Sequence, residues 1–367
     1  MGITMAGTWA SLKHFKRRPP HLDAPFGLYP VSVLKPLKGA ENGMKENLKS
    51  FFRLDYPKYE IIFSVAEEKD PACQMVRRLI EAHPDVDAHL IVGDVNAGPN
   101  PKVNNLIRSY ERAQFDLLLI SDSNVRVEPD YLKRLVAHIE NGVGMVTSVV
   151  SGQSQSGIGG HLEATFLNTF YARSMLLLAS FGRPCVVGKS MLFRRSTANR
   201  FGGIANLARY LAEDYMAGEA MRKLNLRVVI ASDPVHQHIG HYSFKSFWSR
   251  HLRWGRIRKA QEPLVFAFEP LFGSWISGLI GAFALNRIFG LTYVASLALH
   301  LLIWSICDLV VLSKVEGKLA LEAPLVWLMR EFLAFPLWVH IALGNTVNWR
   351  GNRLRLQSGG IIETVSA

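Results

Sequence analysis

Three apolar stretches toward the C-terminal end, residues 271–285, 288–312 and 325–347, restrict the fold more than any other feature of the chain. Residues 288–312 run about as long as a bilayer-spanning helix requires, interrupted by His300 and Asp308. Residues 325–347 carry Arg330 and Glu331 near their start, where the two can pair or reach the interface. Residues 271–285 contain glycines and suit either a span or a re-entrant segment. The alternative is a buried helical domain of a soluble protein, in which uninterrupted apolar length of this order is rare. Basic residues flank the stretches: Arg250, Arg253, Arg256, Arg258 and Lys259 before, Arg350, Arg353 and Arg355 after. The positive-inside rule then predicts an integral membrane protein with both flanks, and the preceding domain, on the cytosolic face. That orientation requires an even number of spans after Pro263. Residues 1–20 are too short and polar to span; with Lys13, Lys16, Arg17 and Arg18 they suit a surface-lying helix or a frayed end, not a signal peptide.

From Val31 to about Val235 the pattern alternates. Strand-like runs at 31–37, 60–65, 88–92, 115–120, 144–149 and 227–231 are separated, early in the chain, by helix-like stretches at 41–52, 71–82, 102–112 and 129–139. Connections too long for hairpins predict an α/β domain, a mostly parallel sheet with helices on both faces. Ligands of such sheets bind beyond the carboxyl ends of the strands. The boundaries expected are a basic N-terminal segment (1–29), a catalytic domain (30–240), an interfacial helix (241–262), membrane helices (263–349) and a cytosolic tail (350–367). Of the 367 residues, 42 are Lys or Arg and 30 Asp or Glu; the net charge of +12 favours anionic partners. The basic residues lie beside apolar stretches without a nucleic-acid recognition element, so nucleic acid is not expected. Three cysteines exclude a disulfide-stapled module.

The chemistry-bearing residues follow the strand ends. The run at 115–120 leads into Ser121-Asp122-Ser123-Asn124, and Asp-x-Asn offers a carboxylate and an amide oxygen to a hard divalent cation; a helix cap or turn is the structural alternative. Asp70 precedes Pro71 and suits either a helix cap or a carboxylate receiving a base or ribose. Lys102 sits at a helix start, where a cation is disfavoured unless an anion is near. Glu213 and Asp214 are adjacent carboxylates that raise each other's pKa, which suits a general base, although acids at helix starts also complement the dipole. Residues 242–254 combine five aromatics, Trp248 and Trp254 among them, with Arg250 and Arg253 on one helix face, suited to an interface helix or to a diphosphate. His236 and His238 form a His-x-His pair, but no further spaced ligand completes a zinc site.

In this order, Asp70, Asp122 in DSN, Glu213-Asp214-Tyr215 and Arg250-His251-Leu252-Arg253-Trp254 resemble the D, D, D, (Q/R)xxRW signature of inverting glycosyltransferases with a GT-A fold. The resemblance is strongest to the ceramide glucosyltransferases. It is carried also by VSVLKPLKG, LDYPKYE, NPKVNNL, LAEDY and WRGNRLRL, from about Val31 to Gly360. It implies Asp70 in the nucleotide pocket, Pro36 to Glu41 as the first nucleotide-contacting loop, and Arg250, Arg253 and Trp254 on the donor, to which the helix-start position adds Lys102 as a diphosphate ligand. It implies a divalent cation, Mg²⁺ or Mn²⁺, at Asp122 and Asn124, and Asp214 as the catalytic base. Glu213 and Trp248 are expected toward the acceptor. The implied reaction moves glucose from UDP-glucose to the hydroxyl of ceramide with inversion; similar enzymes act on diacylglycerol or hopanoid acceptors. The family's usual N-terminal membrane helix has no full-length counterpart in residues 1–20, and the metal motif ends in Asn124 where a second aspartate is usual. The reading of another class is a membrane nucleotide-sugar binder without catalysis.

Overall fold

The computed structural model describes residues 1–16, 29–154, 156–349 and 352–364. Arg17, Arg18 and Arg350 of the expected basic flanks lie outside them. The chain divides into two compact units, Arg17–Ser151 with Leu178–Gly240, and Met1–Lys16 with Gly152–Leu177 and His241–Ala367.

The first unit is built on a seven-stranded sheet: β1 (Val31–Leu37), β2 (Tyr59–Val65), β3 (Ala88–Val92), β4 (Leu117–Ile120), β5 (Val143–Thr147), β6 (Met191–Arg194) and β7 (Arg227–Ile230). Its order is β3-β2-β1-β4-β6-β5-β7. All neighbours are parallel except β6, which runs antiparallel to both β4 and β5. The mostly parallel α/β sheet is as expected, with β6 as an addition in its middle. The reason for parallel pairing lies in the strands: LLLI of β4 and all seven residues of β1 are buried, so both faces must be covered. The pleat puts alternate residues on opposite faces. Leu34 and Ile62 pack in one cluster with Val103, Leu106, Ile107 and Tyr110 of the helix Pro101–Arg112, which repeat at helical spacing. Their neighbours Lys35 and Phe63 meet Phe51 and Phe52 from the other side. Each fully buried aliphatic or aromatic side chain contributes about 1.5–3 kcal/mol, so this two-sided core holds the strand ends rigidly.

The second unit is helical, with a terminal antiparallel sheet of Thr346–Trp349, Asn352–Leu356 and Ile362–Thr364. Two helices, Tyr293–Glu316 and Ala323–Ala342, are long and apolar enough to cross a membrane; Pro263–Phe272 with Ser274–Phe289, bent by 66° at Gly273, passes as a third if counted as one span. Two expectations are corrected and one open alternative is decided. The apolar stretch 325–347 ends as a helix at Ala342, because the Lys259 ammonium binds the Ile341, Ala342 and Gly344 carbonyls at 3.3, 2.9 and 2.6 Å, and the chain turns into a strand. Gly152–Leu177, expected inside the catalytic domain, belongs to the helical unit, where Leu162 packs with Phe247 and Val326. Residues 2–15 form a helix whose Thr4 and Ser11 are buried, with Arg173 Nη1 donating to Thr4 Oγ1 at 3.2 Å; this end is packed, not frayed.

Candidate active site

The chemistry gathers at the carboxyl end of β4. Leu34 pairs with Ile120, and Ile120 with Met191 of β6. The exit of β4 and the entry of β6 therefore lie side by side, so Asp122 and Asn124 meet Lys189 although 67 and 65 residues separate them. Lys189 Nζ donates to Asp122 Oδ2 at 2.8 Å and to Asn124 Oδ1 at 2.7 Å. Lys102 Nζ donates to the other Asp122 oxygen and to Glu213 Oε1, both at 2.8 Å. Lys35, buried inside β1, donates to the Asp122 carbonyl at 2.7 Å.

Each position has a local cause. Pro101 occupies the first turn of its helix and Asn100 caps it, accepting from the Lys102 and Val103 amides at 2.9 and 3.2 Å. The Asn100 amide group donates to Glu213 Oε2 at 3.1 Å and to the Tyr210 carbonyl at 2.7 Å, which ties this cap to the start of the helix Glu213–Lys223. Lys102 thus lies at a helix start with three carboxylates around it, which offsets its unfavourable position in the dipole. Gly188 is a close approach: a Cβ there would meet Lys102 Nζ at 2.5 Å. Its amide donates to Asp214 Oδ2, and the Tyr215 amide to Asp214 Oδ1, both at 2.8 Å.

These contacts separate two carboxylates electrically. Burial works against ionisation of Asp122, but the Lys102 and Lys189 ammoniums outweigh it and hold the carboxyl well below the usual range. Burial and the negative Glu213 push Asp214 up to about 6, against the opposing pull of Lys102 and the two backbone amides. Burial also drives the Lys35 ammonium well below the ordinary lysine value, opposed by Asp122. One carboxylate is locked in its charged form, and the other can exchange a proton near neutral pH.

Asp70 takes the capping role that its position before Pro71 allowed, and adds a contact that the sequence did not show. Its Oδ1 caps the helix Pro71–Glu81 through the Ala72 amide at 2.8 Å, and both its oxygens receive the Gly39 amide at 3.0 and 2.9 Å. Gly39 has φ +70°, so this anchor fixes a left-handed turn just beyond β1. Pro36 is buried in the strand and Glu41 is exposed past it. Glu213, expected toward the acceptor, is buried and engaged with Lys102 and Asn100, because it lies at the capped helix start beside them.

Arg250, Arg253, Trp254 and Trp248 belong to the helical unit, on the helix Phe244–Gln261. Arg250 pairs with the fully buried Glu163 at 3.1 Å and lies over the Trp254 ring, 4.5 Å from its centroid. His251 shares Glu163 at 2.8 Å. Trp248 donates from Nε1 to His340 Nδ1 at 3.0 Å, and Arg253 is half-buried. Phe166, Phe247 and Trp254 line an apolar cleft that also reaches Arg330 and Glu331.

The donor set does not fit a resident divalent ion. Mg²⁺ or Mn²⁺ would need the oxygens of Asp122 and Asn124, and all three side-chain oxygens already accept from lysine ammoniums. A second group, Glu60, Asp87 and His89, brings potential ligand atoms together, but at the amino ends of β2 and β3, away from Asp122.

Sequence reasoning passed over Lys35, Asn100, Gly188, Lys189 and Glu163. A lysine in an otherwise apolar strand was a readable signal for Lys35. Gly188-Lys189 becomes conspicuous only when the following residues are known to be a strand beside β4.

The chain is 33% identical to ceramide glucosyltransferase 1 of Caenorhabditis elegans, over 91% of this chain and 73% of that protein. It is 28% identical to the ceramide glucosyltransferase of Komagataella phaffii, over 96% and 87%. Among solved structures, a mannosyltransferase of Pyrobaculum calidifontis, in complex with GDP-mannose and Mn²⁺, superposes with a TM-score of 0.55 at 16% identity, covering 93% of this chain and 94% of that one. That likeness carries the fold, a GT-A-like α/β sheet. The match to the family model "Glycosyl transferase family 21" covers residues 2–362 and takes in both units, every acidic position above and the arginine–tryptophan helix. The chain is therefore a glycosyltransferase and belongs to glycosyl transferase family 21.

Proposed function

We propose that this enzyme transfers glucose from UDP-glucose to the hydroxyl of ceramide, with inversion, at a membrane surface. The observation that carries the mechanism is Asp214, whose carboxyl is raised to about 6 beside an Asp122 held ionised. Asp214 takes the acceptor hydroxyl's proton. The freed oxygen attacks the anomeric carbon as the bond from that carbon to the UDP oxygen breaks, and the electron pair leaves on the diphosphate. Lys102, fixed between Asp122 and Glu213, offsets the charge that develops there. Electrostatic stabilisation of this kind is often the largest catalytic contribution. Asp70 and the turn from Pro36 to Glu41 are assigned to the nucleotide, and Arg250, Arg253 and Trp254 to the donor, on the family resemblance. The aromatic cleft of the helical unit and Trp248 are assigned to the lipid.

The relatives' names support a ceramide acceptor. Two helices long enough to span, flanked by Arg256, Arg258 and Lys259 before and Arg353 and Arg355 after, support the sheet unit on the cytosolic side. The test is UDP release by the detergent-purified protein given UDP-glucose with ceramide, with diacylglycerol, or with no acceptor. Ceramide-dependent release is expected. Release with diacylglycerol alone keeps the mechanism and changes the acceptor, and no release with any lipid overturns the reading in favour of a non-catalytic binder.

A further inference from the structure

Lys189 has a place in the donor site that none of the sequence motifs assigns to it. Its side chain is buried, and a buried ammonium is costly unless it is paired. It is paired with the two residues of the Asp-x-Asn element, Asp122 at 2.8 Å and Asn124 at 2.7 Å. Its position is fixed by backbone structure. Met191 pairs with Ile120 two residues later, Gly188 is tied to Asp214 one residue earlier, and the Ser190 hydroxyl accepts from the Tyr131 hydroxyl at 2.7 Å.

We propose that Lys189 is the resident cation of the donor site: its ammonium spans Asp122 and Asn124 in place of a divalent ion, and a nucleoside diphosphate binds there without metal. This rests on the donor-site reading above. The argument is one of charge and of occupied ligand atoms. A divalent ion at these oxygens would sit directly beside two fixed ammoniums, Lys189 and Lys102, and like charges at hydrogen-bonding distances repel strongly where water is scarce. It would also have to strip both ammoniums from Asp122, leaving Lys102 to Glu213 and taking from the buried Lys189 the carboxylate it is paired with. Mg²⁺ draws most of its six oxygens from water and phosphate but needs a free carboxylate oxygen from the protein, and both Asp122 oxygens are taken by ammoniums. Lys35 completes the pattern, since the backbone of the Asp122 turn is also held by a lysine. The site has exchanged a mobile cation for one carried by the chain.

The experiment uses the full chain in detergent micelles and UDP as the probe, titrated by calorimetry in EDTA and again in millimolar Mn²⁺, with bound Mn²⁺ read by electron paramagnetic resonance. Wild type is expected to bind UDP equally in both, within roughly twofold, and to show no stoichiometric bound Mn²⁺. Lys189→Met should lose roughly tenfold to hundredfold in UDP affinity in EDTA, recover much of it in Mn²⁺, and acquire a bound Mn²⁺ signal. Lys189→Arg, which keeps the charge, should keep metal-free binding; equal loss in both variants would point to packing and overturn the proposal. Wild-type UDP binding that vanishes in EDTA and returns with stoichiometric Mn²⁺ would overturn it too, while leaving the donor site intact. If neither Asp122→Asn nor Lys189→Met alters UDP affinity, the donor-site reading itself falls.

Discussion

Both units bury charges, and they use them differently. In the helical unit Asp308 is fully buried and its two oxygens are taken by Arg173 Nε at 2.8 Å and Trp327 Nε1 at 2.9 Å, while the fully buried Glu163 is ion-paired with Arg250 and hydrogen-bonded to His251. In the sheet unit Lys102, Asp122 and Asp214 are half-buried, and the hydrogen bonds that hold Asp214 come from backbone amides. A saturated pair lowers the cost of burial and fixes one packing arrangement. A carboxylate kept near neutrality by burial and a like-charged neighbour is able to move a proton. Burial by itself therefore does not mark a catalytic acid; incomplete neutralisation does.

The largest effect expected from that contrast is at Asp214. Asp214→Asn should reduce transfer by roughly a hundredfold to ten-thousandfold while UDP affinity stays within about twofold, read by UDP release and calorimetry. A parallel fall in UDP affinity would mean that Asp214 belongs to the donor pocket and not to the proton.

Next comes the helical pair. Asp308→Ala leaves the Arg173 guanidinium buried without its carboxylate and should destabilise the protein by about 3–5 kcal/mol, seen as a lowered melting temperature. The double variant Arg173→Met, Asp308→Leu should recover most of that loss. The matching replacement in the sheet unit, Lys102→Met with Asp122→Leu, should recover no activity. Recovery there would erase the distinction between the two clusters.

A smaller effect concerns pH. The base acts only when ionised, so transfer should fall as pH drops through about 6, the value set for Asp214 by burial and Glu213. Glu213→Gln removes the neighbouring negative charge, which stabilises the ionised form and should move this acid limb to lower pH. Lys102→Met removes a positive charge and should move it to higher pH.

The smallest effect is at Asp70. Asp70→Ala removes a helix cap, at a cost of about 1 kcal/mol, whereas Asp70→Ser keeps a cap and loses the second oxygen that holds Gly39. If Asp70→Ser raises the KM for donor while melting stays near wild type, the Gly39 turn serves the nucleotide; unchanged kinetics would leave Asp70 a cap.

The sequence alone was enough for the α/β alternation, the long apolar helices, the strand-end position of Asp122 and the helix-start position of Lys102. These follow from periodicity and from Pro and cap residues, which act over a few neighbours. It also carried the family, through motifs whose order survives in one dimension. Three features came only with the tertiary structure. The strand Met191–Arg194 is four residues long and is followed only by the five-residue helix Arg195–Asn199; its pairing between β4 and β5 supplies the burial that makes it a strand. Gly152–Leu177 joined the helical unit because its apolar face matches helices that lie far along the chain. Lys189 met Asp122 because an antiparallel register brought strand entry beside strand exit. Such contacts depend on which distant segments share a face, and no local preference of the chain encodes that.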